Sequence, residues 1–296
     1  MKSFKELEKI YNDNLLNNKC YLEEQQWITL ATSLNLSRKD FLFYTLDFAK
    51  NFSQSPLSHY KVGAVGVGKS NKLYLGTNIE FSNFPLNQSI HAEQALISLA
   101  YAQMEEELKE IYLTAFPCGH CRQFFREMGN YKEVKILSSQ EKEKTFSLLD
   151  LLPHSFGPQD LNVTQALFVD KANLLVKKLI HVPKGISDKL QEKILFAIRQ
   201  SFSPYSHNPS GIVFEFNDSD LVLGSYIESC AHNPSLSPFH MAYAQVVLSK
   251  RDIKKLKSVY LVEMENTQVI QENIIRSLLQ KYAPQVKIFI IKASAK

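Results

Sequence analysis

Long apolar runs are missing from this sequence. No stretch approaches the roughly 20 apolar residues that cross a bilayer, so no helical membrane span is expected. Met1-Lys2-Ser3-Phe4-Lys5-Glu6 lacks the apolar region of a secretory signal, and the expected location is cytoplasmic, with no membrane partner. Cysteine is scarce as well. The four cysteines show no framework spacing, which excludes a disulfide scaffold and suits a reducing compartment where thiolates stay free for metal. An excess of one charge is also absent: 34 basic against 30 acidic residues leave a net +4, evenly spread, which argues against a nucleic-acid surface. What remains is ordinary globular composition, 45% hydrophobic and 22% charged. A chain of 296 residues is long enough for two domains with a sizeable core.

The chemistry is concentrated between His91 and Cys121. The stretch opens with His91-Ala92-Glu93 and closes with Pro117-Cys118-Gly119-His120-Cys121. One imidazole and two thiols can supply three ligands to a tetrahedral zinc ion, leaving the fourth corner for water, as in catalytic rather than structural sites. Zinc lowers the pKa of such a water from about 15.7 toward roughly 7. Glu93, two residues from the histidine, is the candidate to shuttle protons. Either half alone has other readings: H-x-E recurs by chance, and C-x-x-C serves as a redox pair or half a zinc ribbon. A closed structural site would need a fourth protein ligand, and the sequence offers no partner cysteine at a recognisable spacing. His120 is read as facing away from a metal that both cysteines grip, and so as lying just behind the ligands or at the surface. Two thiolates and a neutral histidine balance Zn²⁺ to about zero. Gln94, rather than an arginine, follows Glu93 and fits that neutral version. The combined pattern is identified as the known signature of zinc-dependent nucleobase deaminases.

Along the chain, residues 1–47 read as a small helical segment, with Phe4, Leu7, Ile10 and Tyr11 at helical spacing and Ser37 capping a helix that carries Phe41, Tyr44 and Phe48. Val62 to Val67 reads as a buried strand, Asn71 as a hairpin turn, and Lys72 to Thr77 as the return strand. A helix is expected from near Ser89 to His91 onward, then a short strand over Glu110 to Thr114, then a helix opened by Cys118 to Cys121. Ligands at helix N-termini meet the positive ends of the macrodipoles and free N–H groups, which favour thiolate. The charged run Glu141-Lys142-Glu143-Lys144 reads as a solvated helix start.

Ser55-Pro56-x-Ser58-His59-Tyr60-x-Val62-Gly63-Ala64, Asn78-Ile79-Glu80-Phe81, His91-Ala92-Glu93-Gln94 and Pro117-Cys118-Gly119-His120-Cys121-Arg122-Gln123-Phe124 together resemble the blocks of cytidine deaminase in its long, two-domain bacterial form. Leu152-Pro153-His154-Ser155-Phe156-Gly157-Pro158-Gln159-Asp160-Leu161 resembles its interdomain linker. The resemblance runs from about residue 40 to near the end; the N-terminal helices match only in character. It implies hydrolytic deamination of cytidine and 2′-deoxycytidine to the uridines with release of ammonia, by zinc-activated hydroxide. His91, Cys118 and Cys121 would bind zinc, one ion per chain, and Glu93 would pass protons to N3 and to the leaving ammonia. Asn78 and Glu80 would hold the ribose, Tyr60 would lie against the pyrimidine, the Phe116 carbonyl would accept from the 4-amino group, and Ala92 would join the substrate set. In a homodimer, Phe156 and Ala231 would reach the pocket of the other chain; Phe156 as an anchor of its own linker remains open. A carboxylate that accepts from a 3′-hydroxyl requires that hydroxyl to be free, so a nucleoside rather than a nucleic acid is the expected substrate.

The second half repeats the first. Sliding the sequence on itself by 148 residues sets Ser55-Pro56-x-Ser58-His59 on Ser203-Pro204-x-Ser206-His207, Gly63 on Gly211, Gly76 on Gly224 and Ile79-Glu80 on Ile227-Glu228. Without gaps, His91 falls on Phe239, Glu93 on Met241, Cys118 on Asn266 and Cys121 on Val269, so the copy has lost the chemistry, and His240 reads as structural. The expected fold is α/β, a three-layer mixed sheet with helices made twice. The helical segment at 1–47 precedes a catalytic domain at 48–150, a linker at 151–185 and a degenerate, non-catalytic domain at 186–296.

Overall fold

The computed structural model describes residues 4–16, 20–169 and 176–295. Met1 to Ser3, part of the N-terminal reading, and residues 170–175 of the expected linker lie outside the described residues. The chain divides into two compact units, Met1–Gly157 and Pro158–Lys296. Among the described residues, no helix is long and apolar enough to cross a membrane.

Unit 1 runs α1 (Lys5–Leu16), β1 (Tyr21–Leu22), α2 (Glu24–Ser33), α3 (Arg38–Lys50), β2 (Gly63–Gly68), β3 (Leu73–Thr77), α4 (Ala92–Ala102), β4 (Leu108–Leu113), α5 (Gly119–Phe125), β5 (Lys135–Ser138) and α6 (Leu148–Leu151). The sheet order is β1-β3-β2-β4-β5, with only β4 and β5 parallel. All six residues of β2 are buried, the pattern of a strand covered on both faces rather than one with alternating exposure. Two glycines show the layers. A Cβ on Gly63 would strike α3 at Leu46 O (2.5 Å), and one on Gly66 would strike α4 at Leu96 Cδ1 (3.0 Å). Residues three apart point to opposite faces of a strand, so α3 and α4 sandwich the sheet. Ser37 caps α3 by accepting from Asp40 N.

Unit 2 runs β6 (Lys178–Ile180), α7 (Asp188–Arg199), β7 (Ser210–Phe216), β8 (Leu221–Ser225), α8 (Pro238–Leu248), β9 (Leu256–Met264), α9 (Glu272–Tyr282) and β10 (Lys287–Ser294). Its sheet order is β6-β10-β9-β7-β8, with β9 and β10 parallel. Both sheets therefore share one four-stranded core, β3-β2-β4-β5 and β8-β7-β9-β10, and each adds its fifth strand at a different edge. Gly211 faces α7 and Gly224 faces α8, repeating the three layers. Left-handed residues repeat too: His59 (φ 57°) and His207 (φ 55°), and Asn71 (φ 62°) and Ser219 (φ 67°), are each 148 apart.

Three expectations need correction. The N-terminal segment is not wholly helical, since Tyr21 and Leu22 pair with Tyr74 and Leu73 as an edge strand. The run Glu141 to Lys144 forms turns, and the next helix begins only at Leu148. The repeat is also not gapless. Ile90 bridges Ile79 in unit 1, but Leu236 bridges Ile227 in unit 2, so the loop before α8 is two residues shorter. The helix caps agree, His91 for α4 and Ser237 for α8. Met104 (φ 60°) and Lys250 (φ 55°), just past the two helices, are 146 apart. Two residues regained before β9 restore the offset, because Ala64 pairs Leu113 as Ile212 pairs Leu261. The structural counterparts of His91 and Glu93 are thus Ser237 and Phe239, not Phe239 and Met241. His240 is 7% exposed, and its Nδ1 lies 2.9 Å from Ser237 Oγ within the α8 cap.

Candidate active site

Two helix starts meet at the site. His91 is the N-cap residue of α4 and Cys118 that of α5, both in extended backbone (ψ 154° and 169°), and their side chains meet. The His91 backbone N–H donates to Gln94 Oε1 at 3.2 Å, which fixes the turn in which the imidazole sits. His91 Nδ1 lies 3.4 Å from Cys118 Sγ and 3.3 Å from Cys121 Sγ, and the two sulfurs are 3.7 Å apart. Tetrahedral zinc with Zn–S about 2.3 Å and Zn–N about 2.0–2.1 Å would need separations of about 3.8 Å between sulfurs and about 3.6 Å from nitrogen to sulfur. The donor set therefore fits zinc closely. Two thiols and an imidazole are also the ligands it prefers.

His120 does not face away as expected. Its ring lies beside that of His91, tilted by 33° with centroids 4.8 Å apart, and the donor atoms of His91, Cys118, His120 and Cys121 all lie within 4.8 Å of one another. The closer set, within 3.7 Å, is His91, Cys118 and Cys121.

The protons of this cluster are strongly coupled. The Cys121 thiol, together with His91 beside it, holds Cys118 down to about 3 despite partial burial. Burial, and then the adjacent Cys118 sulfur, push Cys121 well above an ordinary thiol. Contact with Cys118 raises His91, against the effect of its burial. Glu93, in the first turn of α4, is 5% exposed. Burial raises its carboxyl, outweighing its own backbone N–H, Cys121 and His91, which pull it down.

The triad opens onto a cavity of about 580 Å³, within the size range of small-molecule sites. Of the residues expected from sequence, Tyr60, Asn78, Glu80, His91, Ala92, Glu93, Phe116 and Cys118 line it. Cys121 is fully buried beneath it. Phe156 and Ala231 are not among the lining residues. Phe156 is 47% exposed in unit 1, its carbonyl accepting from Gln123 Nε2, and Ala231 is exposed on unit 2.

The polar wall is tightly specified. Asn78 Oδ1 accepts from Val62 N (2.8 Å) and Ser53 Oγ (2.7 Å), and its Nδ2 donates to the Tyr60 carbonyl (2.9 Å), leaving one N–H to offer. Glu80 Oε2 accepts from Leu57 N (2.8 Å) and Ser58 N (3.0 Å), and its Oε1 from the Ser58 hydroxyl. Three of about four acceptor positions on the carboxylate are used, so one remains. Partial burial acts to raise Glu80, but the Ser58 and Leu57 hydrogen bonds prevail and its carboxyl ends below the usual range. Phe116 N donates to Gln140 Oε1 (3.1 Å), and its ring packs edge-on against Phe146. Sequence reasoning missed Leu57 and Leu86, which also line the cavity and are 45% and 75% exposed. Leu86 sits in a three-residue turn of helix after Pro85, too short to show a periodicity. Ser58 could have been found as the partner a loop carboxylate needs.

Two family models, both described as the cytidine and deoxycytidylate deaminase zinc-binding region, match residues 38–138 and 148–276 respectively. This chain belongs to that family. It is 34% identical over 270 residues to the cytidine deaminase of Vibrio parahaemolyticus, covering 91% of this chain and 88% of that protein. It is 36% identical over 255 residues to that of Aeromonas hydrophila, covering 86% and 84%. A solved cytidine deaminase from Burkholderia pseudomallei aligns at 26% identity with 41% of this chain and 100% of its own, TM-score 0.37. Each half matches one of these models, but among the described residues the His/Cys group able to hold a metal ion is that of unit 1. Membership and the donor set make this a zinc-dependent deaminase.

Proposed function

We propose that this protein hydrolytically deaminates cytidine and 2′-deoxycytidine, giving the uridines and ammonia, as a step in pyrimidine salvage. The observation that carries this is the three-donor zinc set opening onto a nucleoside-sized cavity, with a buried carboxyl two residues from its histidine. Bound zinc supplies a Lewis acid that makes hydroxide available from water near neutral pH.

The chain does the rest. Glu93, raised by burial, takes one proton from the attacking water and passes it to N3, then takes the second from the hydroxyl added at C4 and passes it to the amino group, which leaves as ammonia as the C4 carbonyl forms. The Phe116 carbonyl accepts from the 4-amino group and orients C4, while Tyr60 lies against the pyrimidine and Ala92 closes the wall at the start of α4. The ribose 3′-hydroxyl both accepts from the remaining Asn78 N–H and donates to the remaining Glu80 acceptor position. That arrangement favours free nucleosides over polynucleotides, whose 3′-oxygen cannot donate. We assign residues 48–150 to catalysis, 151–185 to the linker and 186–296 to a domain without catalysis. In a cytoplasmic homodimer, Phe156 and Ala231 reach the partner's pocket.

One observation favours a second reading. With His120 also within 4.8 Å, four protein ligands could close the site and leave a zinc-stabilised scaffold. Absorbance spectra of the Co²⁺-substituted protein separate the two, since a closed site would not respond to added nucleoside. The direct test follows cytidine absorbance with and without a zinc chelator. Metal-replete, folded protein that leaves cytidine and deoxycytidine unchanged would end this reading.

A further inference from the structure

Unit 2 retains a second carboxylate cradle without the chemistry. Glu228 Oε2 accepts from Tyr205 N (2.9 Å) and Ser206 N (3.1 Å), and its Oε1 from the Ser206 hydroxyl, bond for bond the arrangement around Glu80. The same backbone frame holds both: Gln54 bridges Ile79, and Phe202 bridges Ile227. Glu228 is 3% exposed, a costly place for a carboxylate unless its acceptor positions are met. Three are taken by the turn, and about one is left.

The cradle lines a cavity of about 350 Å³, with Tyr226, Ser229, His232, Ser235 and Val269 around it. Tyr226 stands 148 residues after Asn78 and two before Glu228, so a donor again precedes the carboxylate by two positions. Burial, and then Glu228, push the Tyr226 hydroxyl up to about 12 against a hydrogen bond with the Ser235 side chain. The end of the cavity that would meet the base differs. Ser237 and Phe239 replace His91 and Glu93, Phe239 is fully buried, and the Met241 sulfur accepts from Ser225 N. The hydroxyl-recognising end has been kept and the reacting end filled.

We propose that unit 2 carries a separate, non-catalytic binding site that takes a pentose with free hydroxyls, one of which donates to Glu228 and accepts from Tyr226. The pentose could be free or part of a nucleoside, and the base contributes little. The site goes beyond the deaminase reading and does not depend on it.

Isothermal titration of the full-length, zinc-loaded protein tests this with uridine, which is not consumed, and with D-ribose in a parallel arm. Two equivalents of uridine per chain are expected. Val269→Trp, which fills the cavity from a residue whose backbone bonds run to Thr267 and not to the Glu228 turn, should leave one equivalent with an unchanged melting temperature and a cytidine deamination rate within about twofold of the parent. Glu228→Gln should do the same to the stoichiometry. D-Ribose should displace the second equivalent; failure to do so overturns the pentose assignment. A uridine count that neither substitution lowers overturns the site, whether the parent protein binds one equivalent or two. Stoichiometry is read without turnover, so a chain that deaminates nothing yet loses one of two equivalents in Val269→Trp would overturn the activity proposed above and leave this site standing.

Discussion

Gly76→Ala adds one methyl group at the closest approach of sheet and catalytic helix. The new Cβ would sit 2.2 Å from the Ala92 carbonyl oxygen and 2.7 Å from both Leu96 N and Leu96 Cβ, where ordinary contact starts at 3.4 Å. Two of those atoms are backbone, so no side chain can swing aside. Either β3 or the N-terminal turn of α4 must shift by about 1 Å. Overpacking of this kind costs about 1–3 kcal/mol, a fall in melting temperature on the order of 5 °C for a unit of this size. The turn that shifts carries His91, Ala92 and Glu93, and a misplacement of about 1 Å can cost about 10²-fold in rate. Gly224→Ala is the internal control. Its Cβ would sit 2.0 Å from the Pro238 carbonyl oxygen, at the matching place where unit 2 has no triad. Denaturant unfolding and kcat, measured on both variants, should show similar losses of stability but a rate defect only in Gly76→Ala. If Gly224→Ala lost as much activity as Gly76→Ala, or if Gly76→Ala kept full activity, the link between this packing point and catalysis would be wrong.

Glu93→Gln should retain stoichiometric zinc by metal analysis and lose roughly 10²- to 10⁴-fold in kcat; near-normal turnover would remove Glu93 from proton transfer. Glu80→Gln should raise KM for cytidine by about 10- to 150-fold, the worth of a charged hydrogen bond, yet barely change KM for 3′-deoxycytidine. Equal penalties on both substrates would assign Glu80 to the Ser58 turn alone. Glu105 offers a pH test. Burial acts to raise it, but hydrogen bonds from Ser70, Glu106 N and Tyr74 prevail, so its carboxyl ends below the usual range. A depressed folded pKa stabilises the fold above the unfolded value, near about pH 4.3, and the benefit disappears as pH falls through the folded one. Glu105→Gln should therefore be less stable than the parent at neutral pH, with the gap closing in acid. A gap that persisted unchanged at low pH would contradict this.

The donor set was legible because its parts lie at helix starts, where spacing in sequence becomes position in space within a residue or two. His91 caps α4, Cys118 caps α5, and Glu93 follows in the first turn. The duplicated core was legible for a similar reason, since turn residues such as His59 and His207 keep their offset. Harder to see was what depends on contacts far apart in sequence. Tyr21 and Leu22 are only two residues long, and they become a strand because β3 offers them an edge. His120 was placed by assuming that neighbours of a ligand turn away, but the bend into α5 instead brings its ring beside that of His91. The slide of α8 was invisible because the loss before it and the gain after it cancel, so matches on either side still align.

That slide sets the terms for anyone rebuilding a metal centre in the second half of the chain. Two residues along an α-helix amount to about 200° of rotation. A histidine written in at Phe239, the position that plain counting selects, would therefore project from nearly the opposite side of α8. A transplant has to begin at Ser237, with its acid at Phe239, and has to respect the phase of the helix rather than the number of the residue.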